Sequence, residues 1–264
     1  MTPVLMLGAG RLGGALIEGW SRFGGPSAAD LLILDPAPSG PALAAGLAGA
    51  VLSPGAAEVS RARTVLLAVK PQVWREAAES IAGDLHPEAV IVSVAAGVRA
   101  ADIASAFGGR AVARVMPTTA VAVGRGVASL FAADPRAGES ARALFAPVAR
   151  VVELAEEALL HAATGVSGSA PAYFYAFVEA LEAAGAAAGL PPDASRELAR
   201  ATMVGAAALL DASGEDPAEL RRQVTSPGGT TEAALAILTR EAGLPSLLRD
   251  AVAAATRRSG ELGG

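Results

Sequence analysis

Two glycine-rich turns contain the residue types with which this chain could do chemistry. One is GAGRLG at residues 8–13, and the other is TSPGGTT at residues 225–231, and each precedes a stretch with helical periodicity. A glycine turn that opens a helix directs unpaired backbone N–H groups at whatever lies in front of it, and the helix dipole adds positive potential. Both turns therefore predict anion sites, although the second, taken alone, also fits a capped helix with a glycine hinge.

The surroundings of the first turn are those of a dinucleotide site. An apolar run at residues 4–7 predicts a strand buried on both faces, and residues 12–23 have apolar side chains at helical spacing. A second apolar strand, residues 31–34, ends at Asp35. A G-x-G-x-x-G between strand and helix, with an acidic residue about 20 positions further on, is the fingerprint of nicotinamide dinucleotide binding.

Each residue of this motif has a predicted role. Gly8 permits the tight turn, Gly10 lets the pyrophosphate approach the backbone, and Gly13 lets the helix pack closely on the strand. Arg11 and Leu12 begin the helix and are also predicted cofactor contacts.

Asp35 leaves the choice of cofactor open. Its carboxylate could accept hydrogen bonds from a ribose 2′-OH, which would favour NADH over NADPH. Alternatively, Asp35 and Pro36 simply end the strand and start a turn. Both residues are predicted to lie at the cofactor site, and the cofactor is predicted to be NADPH or NADH.

The rest of the N-terminal half alternates between strands and helices. Further strands are predicted at residues 64–69, 90–94, 111–115, 127–131 and 151–154. This pattern predicts an α/β fold with a Rossmann-type doubly wound sheet, in which ligands bind beyond the carboxyl ends of the strands. The cofactor contacts predicted on that ground are Val69, Lys70, Pro71, Ala96, Met116 and Pro117. Lys70, the only lysine in the chain, could equally be a solvated loop residue.

After about residue 156 the strand pattern stops and helices are predicted to the C terminus. Ser169 is the predicted N-cap of a helix at residues 172–188, and Asp216 with Glu219 predicts a capping box further on. The predicted domains are a dinucleotide-binding domain, residues 1–158, and an all-helical substrate-binding and dimerisation domain, residues 159–264. Its alanine-rich apolar faces exceed what these helices can bury alone, so we expect a homodimer through them, and a higher oligomer of dimers stays open.

Composition excludes several classes of function. A net charge of −5 without a basic run argues against a nucleic-acid partner, and the chain has no cysteine, which fits a reducing, cytoplasmic compartment. The first strand is expected to begin by Pro3, which leaves no room for a signal peptide, and no apolar run approaches the roughly 20 residues of a membrane span. The two histidines, His86 and His161, lack ligand spacing, so no metal is expected. Residues 167–169 do not form a G-x-S-x-G elbow, which argues against a hydrolase.

With both halves placed, the chain resembles pyrroline-5-carboxylate reductase over nearly its whole length. The resemblance rests on residues 8–13, 68–72 (AVKPQ), 114–117 (RVMP), 164–173 (TGVSGSAPAY), 224–231 (VTSPGGTT) and the ending at 258–262. Three features depart from the family pattern. Thr118 and Ala120 replace Asn and Pro after Met-Pro, Ala170 replaces a glycine, and no asparagine lies near Gly55.

The resemblance implies NAD(P)H-dependent reduction of 1-pyrroline-5-carboxylate to L-proline, the last step of proline biosynthesis. It implies that Thr231 Oγ hydrogen-bonds the ring nitrogen, which makes Thr231 the catalytic residue, and that Thr230 gives its N–H to the carboxylate. It also implies a substrate site between helices of two subunits. The full set of predicted substrate contacts is Ser226, Gly229, Thr230, Thr231, Glu157 and Gln223.

Two other functions remain open at this point. One is another imine reductase or a β-hydroxyacid-dehydrogenase-like oxidoreductase, but the latter needs a lysine after the domain junction, and none follows Lys70. The other is a noncatalytic Rossmann protein that senses NAD(P)H.

Overall fold

The computed structural model describes residues 3–262, and the chain divides into two compact units. The first runs up to Gly168 and includes the residues from Ala254 onward, and the second spans Ser169–Ala253. The predicted functional boundary between residues 158 and 159 stays a prediction. No helix within residues 3–262 is long and apolar enough to cross a membrane.

Within the described residues the first unit contains one eight-stranded sheet with the order β3-β2-β1-β4-β5-β6-β7-β8. The strands are β1 Val4–Leu7, β2 Leu31–Leu34, β3 Val51–Leu52, β4 Thr64–Leu67, β5 Val90–Ser93, β6 Val112–Pro117, β7 Gly126–Ala132 and β8 Ala149–Glu153. All neighbouring pairs are parallel except β6 and β7, which are antiparallel. The predicted Rossmann-type sheet is therefore confirmed. The two-residue β3 was missed, because it is too short to show a period.

Helices cover both faces of this sheet. They are α1 Arg11–Phe23, α2 Gly40–Leu47, α3 Ala56–Val59, α4 Trp74–Glu79, α5 Ala100–Ala106, α6 Pro135–Phe145 and α7 Leu159–Ala163. The side chains of β1 alternate between two cores: Val4 and Met6 join a cluster with α1, α2 and α6, whereas Leu5 and Leu7 join a cluster with α4 and α5. Burial on both faces explains why this strand is apolar throughout.

The second unit is helical, as predicted. Its helices are α8 Ala170–Ala187, α9 Pro192–Ser213, α10 Pro217–Gln223, α11 Thr230–Leu238 and the start of α12 Leu244–Glu261. α8 and α9 approach closely where Gly185 contacts Ser195, whose hydroxyl donates to the Glu182 carbonyl at 2.7 Å. Asp216 caps α10 by accepting from the Ala218 N–H at 2.7 Å. The reciprocal half of the capping box was wrong: the Glu219 carboxylate instead accepts from Arg222, which lies one turn further along α10.

One prediction before α8 was wrong, and another was confirmed only in part. Residues Thr164–Gly168, predicted as part of a turn, form a π-helix that follows α7. Ser169 is the N-cap of α8, as predicted. It has helical backbone angles, however, and its side chain makes no capping hydrogen bond. A π-helix of this kind is common at functional sites.

Candidate active site

The three glycines of the dinucleotide loop are required for different reasons. Gly8 has a φ of +89°, and a Cβ there would lie 2.8 Å from Val69 Cγ1. A Cβ on Gly13 would lie 2.5 Å from the Gly8 carbonyl oxygen, so the protein itself demands glycine at both positions. A Cβ on Gly10 would meet no atom within 4 Å. The space beside Gly10 is therefore open, as the second glycine of a dinucleotide fingerprint requires if a pyrophosphate is to approach the backbone.

The start of α1 can receive the phosphates of such a ligand. The first intrahelical bond runs from the Gly14 N–H to the Gly10 carbonyl at 2.7 Å, so the N–H groups of Arg11, Leu12 and Gly13 precede the helical ladder. No acidic side chain lies in this first turn. Leu12 packs against the core and the Arg11 side chain is exposed, so the backbone of both can face an anion. These residues fit a dinucleotide pyrophosphate.

Asp35 lies at the carboxyl end of β2 and contacts the loop directly. Its Oδ2 accepts a hydrogen bond from the Ala9 N–H at 2.6 Å, and its Oδ1 accepts from the Ala37 N–H at 2.8 Å. Pro36, between these two residues, is exposed. The sequence had left open whether Asp35 contacts a ribose or ends a strand, and the structure adds a contact that neither alternative included.

The other predicted cofactor residues lie at or just beyond the carboxyl ends of β4, β5 and β6, which follow β1 in that order across the sheet. Because β1, β4, β5 and β6 are parallel, their carboxyl ends meet at one edge of the sheet. Val69 contacts the Gly8 position, while the side chain of Lys70 is exposed. At this edge, three residues are half-buried: Pro71, Ala96 and Met116. Pro117 is buried. Their role as cofactor contacts stays a prediction.

The second turn has a well-defined local geometry. The Gly229 N–H donates to the Ser226 carbonyl at 3.0 Å, and Gly228 has a φ of +69°. Proline followed by a residue with positive φ in such a four-residue turn is the type II arrangement. A Cβ on Gly229 would lie 3.0 Å from the Ser226 oxygen, so the second glycine allows this close approach.

This turn leaves a row of donors at the start of α11. The first helical bond runs from the Ala233 N–H to the Gly229 carbonyl at 3.2 Å, so the N–H groups of Thr230, Thr231 and Glu232 precede the ladder. Thr230 is exposed and Thr231 is half-buried. The Glu232 carboxylate accepts from the Gly228 N–H at 2.7 Å and so holds the turn against the helix. The arrangement can bind a carboxylate at the helix N-terminus, with hydroxyl groups beside it.

The geometry of both turns agrees with comparisons to known proteins. The family model described as pyrroline-5-carboxylate reductase dimerisation matches residues 157–262, and one described as NADP oxidoreductase, coenzyme F420-dependent, matches residues 3–97. The sequence is 39% identical to a pyrroline-5-carboxylate reductase of Pseudomonas aeruginosa over 99% of this chain and 97% of that protein. The chain belongs to the pyrroline-5-carboxylate reductase family.

Solved structures of related enzymes share the fold. A pyrroline-5-carboxylate reductase from Coxiella burnetii is 26% identical and has a TM-score of 0.90, with 100% of this chain and 99% of that chain covered. The pyrroline carboxylate reductase of Plasmodium falciparum, solved with NADP bound, is 22% identical and has a TM-score of 0.84 over 100% of this chain and 98% of that chain.

Two predicted substrate contacts of the reductase family have partners of their own in this structure. Glu157 Oε1 accepts from Arg114 Nη1 at 2.8 Å and from the Ala100 N–H at 2.7 Å. The side chain of Arg114 is only 4% exposed and that of Glu157 is 28% exposed. Gln223 donates through Nε2 to Glu215 at 2.7 Å, on the exposed end of α10. Their role in substrate binding stays a prediction.

Beside the Ala96 loop lies a further ion pair. Arg99 Nε donates to Asp102 Oδ2 at 2.8 Å at the start of α5. This hydrogen bond, more than the charge of Arg99 alone, holds the pKa of Asp102 below its usual value. The pair links the end of the loop to the first turn of the helix.

One departure from the family pattern has a structural explanation. The Thr118 hydroxyl accepts from the Val127 N–H at 3.1 Å, and the Thr118 N–H donates to the Val127 carbonyl at 2.9 Å. Threonine at this position is therefore used to join β6 to β7 just beyond Pro117. Nothing in the structure explains Ala120 or Ala170.

The serine and histidine before α8 have hydrogen-bond partners within the first unit. The Ser167 hydroxyl donates to the Ala163 carbonyl at 2.8 Å, and His161 Nδ1 lies 3.0 Å from Ser259 Oγ, so the histidine is engaged elsewhere. Within residues 3–262 no group of three or more acidic or histidine side chains could hold a metal ion.

Sequence reasoning missed two residues that shape these sites. Arg114 is a buried cation in an otherwise apolar strand, and that contrast was visible in the sequence of β6. Glu232 follows the turn at the third helical position, where an acidic residue often reaches back to a free N–H. The first signal predicts a buried charge that needs a charged partner, which is Glu157, and the second predicts a side chain that braces the local backbone.

Proposed function

We propose that this chain reduces 1-pyrroline-5-carboxylate to L-proline with NADPH or NADH, the last step of proline biosynthesis. The observation that carries the proposal is the pair of helix-opening turns in one chain: a dinucleotide loop with open space at Gly10, and a threonine-bearing carboxylate cradle at α11. Membership of the reductase family over nearly the whole length supports it.

The chemistry explains why the sites contain few titratable side chains. When bound, the reduced nicotinamide supplies the hydride that is added to the carbon of the C=N bond. A protonated imine is already electrophilic, so the protein has to orient the substrate and hold its charge rather than activate a nucleophile.

The dinucleotide is assigned to the first unit. Its pyrophosphate would be held by the N–H groups at the start of α1, beside Gly10, with the helix dipole adding to the attraction. Its nicotinamide end would lie along the edge formed by Val69, Ala96 and Met116, which the order of the parallel strands supports.

The imino acid is assigned to the turn before α11. Its carboxylate would accept from the Thr230 N–H and from the neighbouring donors of the first turn, which Gly229 and Ser226 hold in place. Thr231 Oγ would accept a hydrogen bond from the protonated ring nitrogen and so fix the face of the ring that receives hydride. Thr231 is the catalytic residue in this scheme.

The family is homo-oligomeric through the helical region that the dimerisation model matches. We assign a homodimer to the second unit because its helices expose large apolar side chains, among them Phe174 at 58% and Tyr175 at 73%. Within α8–α11, the described residues that are buried are few and small: Ala170, Ser195 and Ala199. Such helices need a second copy to form a core, and a substrate site between subunits would follow. A cytoplasmic location and a higher oligomer stay predictions.

The decisive experiment is a spectrophotometric assay of NAD(P)H oxidation with 1-pyrroline-5-carboxylate as the substrate and chromatographic identification of the product. We expect NAD(P)H loss equal to the L-proline formed. Turnover of a β-hydroxyacid with NAD(P)⁺ instead would favour the oxidoreductase alternative. Tight dinucleotide binding without turnover of any imino acid would favour a sensor.

A further inference from the structure

Asp35 is bound to the glycine loop by an interaction that connects two distant parts of the chain. The Ala9 N–H donates to its Oδ2 at 2.6 Å, a short, charge-assisted bond between the end of β2 and the loop after β1. One residue earlier, the Gly8 N–H donates to the Leu34 carbonyl at 3.0 Å. Ala9 is completely buried, so without Asp35 its N–H would lose its partner away from water.

These contacts divide the loop into two sets of donors. The N–H groups of Gly8 and Ala9 point to the end of β2, whereas those of Arg11 and Leu12 precede the ladder of α1 and remain for a phosphate. The second oxygen of Asp35 is engaged as well, because it accepts from the Ala37 N–H at 2.8 Å. Both oxygens therefore hold backbone.

We propose that Asp35 is a positioning residue that holds the pyrophosphate loop open through Ala9, and that it does not select between NADH and NADPH through the ribose. The proposal rests only on the dinucleotide-binding part of the proposed function. The segment at residues 36–60 contains neither lysine nor arginine, so it offers no cation that could bind the 2′-phosphate of NADPH. Loss of the brace should affect both dinucleotides alike.

Two substitutions separate bracing from ribose recognition. Asp35→Glu keeps the charge but moves the carboxylate by one methylene, and a ribose-binding acid tolerates that change. Asp35→Asn keeps the size, but its single acceptor oxygen cannot serve both Ala9 and Ala37. Asp84→Asn, at an exposed aspartate in another loop, controls for the change in net charge.

The readout is the dissociation constant of the free protein for NADH and for NADPH, from the fluorescence of the reduced nicotinamide. We expect both Asp35 variants to bind NADH and NADPH about fivefold or more weakly, with the ratio of the two constants unchanged within about twofold, since one oriented hydrogen bond is lost. Asp84→Asn should bind both as the original chain does. The proposal would be overturned if Asp35→Glu kept its affinity for NADH. It would also be overturned if the ratio of the NADH and NADPH dissociation constants shifted by more than about fivefold in either variant.

Two fragments test the route of the effect. ADP contains the pyrophosphate, whereas adenosine contains the ribose 2′-OH without any phosphate. We expect Asp35→Glu to weaken ADP binding, measured by calorimetry, and to leave the adenosine signal in saturation-transfer NMR unchanged. Equal weakening of both would assign Asp35 to the ribose. Failure of imino-acid reduction with intact dinucleotide binding would count against the proposed function and leave this inference standing.

Discussion

The dinucleotide loop and the turn before α11 both present backbone N–H groups at a helix start, but different parts of the chain support them. The loop is contacted by Asp35 and Val69, which follow β2 and β4, the two strands on either side of β1. The turn is held by Ser226 and Glu232, its own neighbours. A donor array supported from a distance needs the whole sheet to fold first, whereas one supported locally can form with its own helix.

The two regions also differ in how complete they are within one chain. The loop lies over strands whose side chains are buried on both faces, and Leu5, Met6 and Leu66 have no exposed surface. The turn belongs to helices that leave Val204 69% and Leu209 65% exposed. We therefore expect dinucleotide binding to survive dilution of the protein and imino-acid turnover to depend on assembly.

The largest expected effect comes from adding a methyl group to the loop. Gly13→Ala would place Cβ 2.5 Å from the Gly8 carbonyl oxygen. To relieve this clash α1 must move away from the end of β1, which should lower the free energy of unfolding by about 3 kcal/mol. Tm of the unligated protein should fall by roughly 5–10 °C. Gly10→Ala should leave Tm unchanged and weaken NADH binding by about tenfold or more, because its Cβ would occupy only the ligand's space.

The matched control is Gly40→Ala, where a Cβ also meets nothing within 4 Å. It should change neither Tm nor NADH binding. Scanning calorimetry and fluorescence titration measure these quantities. If Gly10→Ala lowered Tm as much as Gly13→Ala, the open space at Gly10 would be a matter of folding and not of ligand binding.

The next largest effect is expected at the locally supported turn. Thr231→Ala removes one oriented hydroxyl and should lower kcat/KM for the imino acid by about ten- to thirtyfold, the size of one lost hydrogen bond to a charged group. The dissociation constant for NADPH should not change. Thr239→Ala, at the other end of α11, should leave both values unaltered. Normal turnover by the Thr231→Ala variant would show that Thr231 is not the catalytic residue.

What could be predicted from the sequence differs between the two regions for a physical reason. Strand–turn–helix periodicity and glycine spacing predicted the dinucleotide loop, because these patterns reflect local backbone needs. The contact of Asp35 with Ala9 could not be predicted, since it depends on the register of β1 beside β2. The π-helix at Thr164–Gly168 was missed because its two glycines and one serine are also typical of a turn.

A substitution at Glu157 distinguishes a residue that contacts the substrate from one that supports the first unit through Arg114. Glu157→Gln keeps an acceptor oxygen for the buried Arg114 but removes its charge, which should cost about 1.5 kcal/mol and lower Tm by roughly 3–6 °C. If Glu157 acts only through Arg114, KM for the imino acid should stay within about twofold of its original value. The same substitution at Glu153, whose partner Arg142 is 45% exposed, should lower Tm much less. A raised KM with unchanged Tm would instead place Glu157 in the substrate site.

The smallest expected effect distinguishes the charge of Glu232 from its bracing contact. The Glu232→Gln side chain still offers an oxygen to the Gly228 N–H but no longer repels a bound carboxylate, so KM for the imino acid should fall by about twofold. Glu232→Ala loses the contact and should raise KM by about threefold, because the turn is no longer held at the start of α11. Glu241→Gln, beyond the end of that helix, serves as the charge control in steady-state assays. Equal shifts in the Gln and Ala variants would mean that Glu232 acts only through its charge. The turn would then need no side-chain support comparable to that which Asp35 gives the dinucleotide loop.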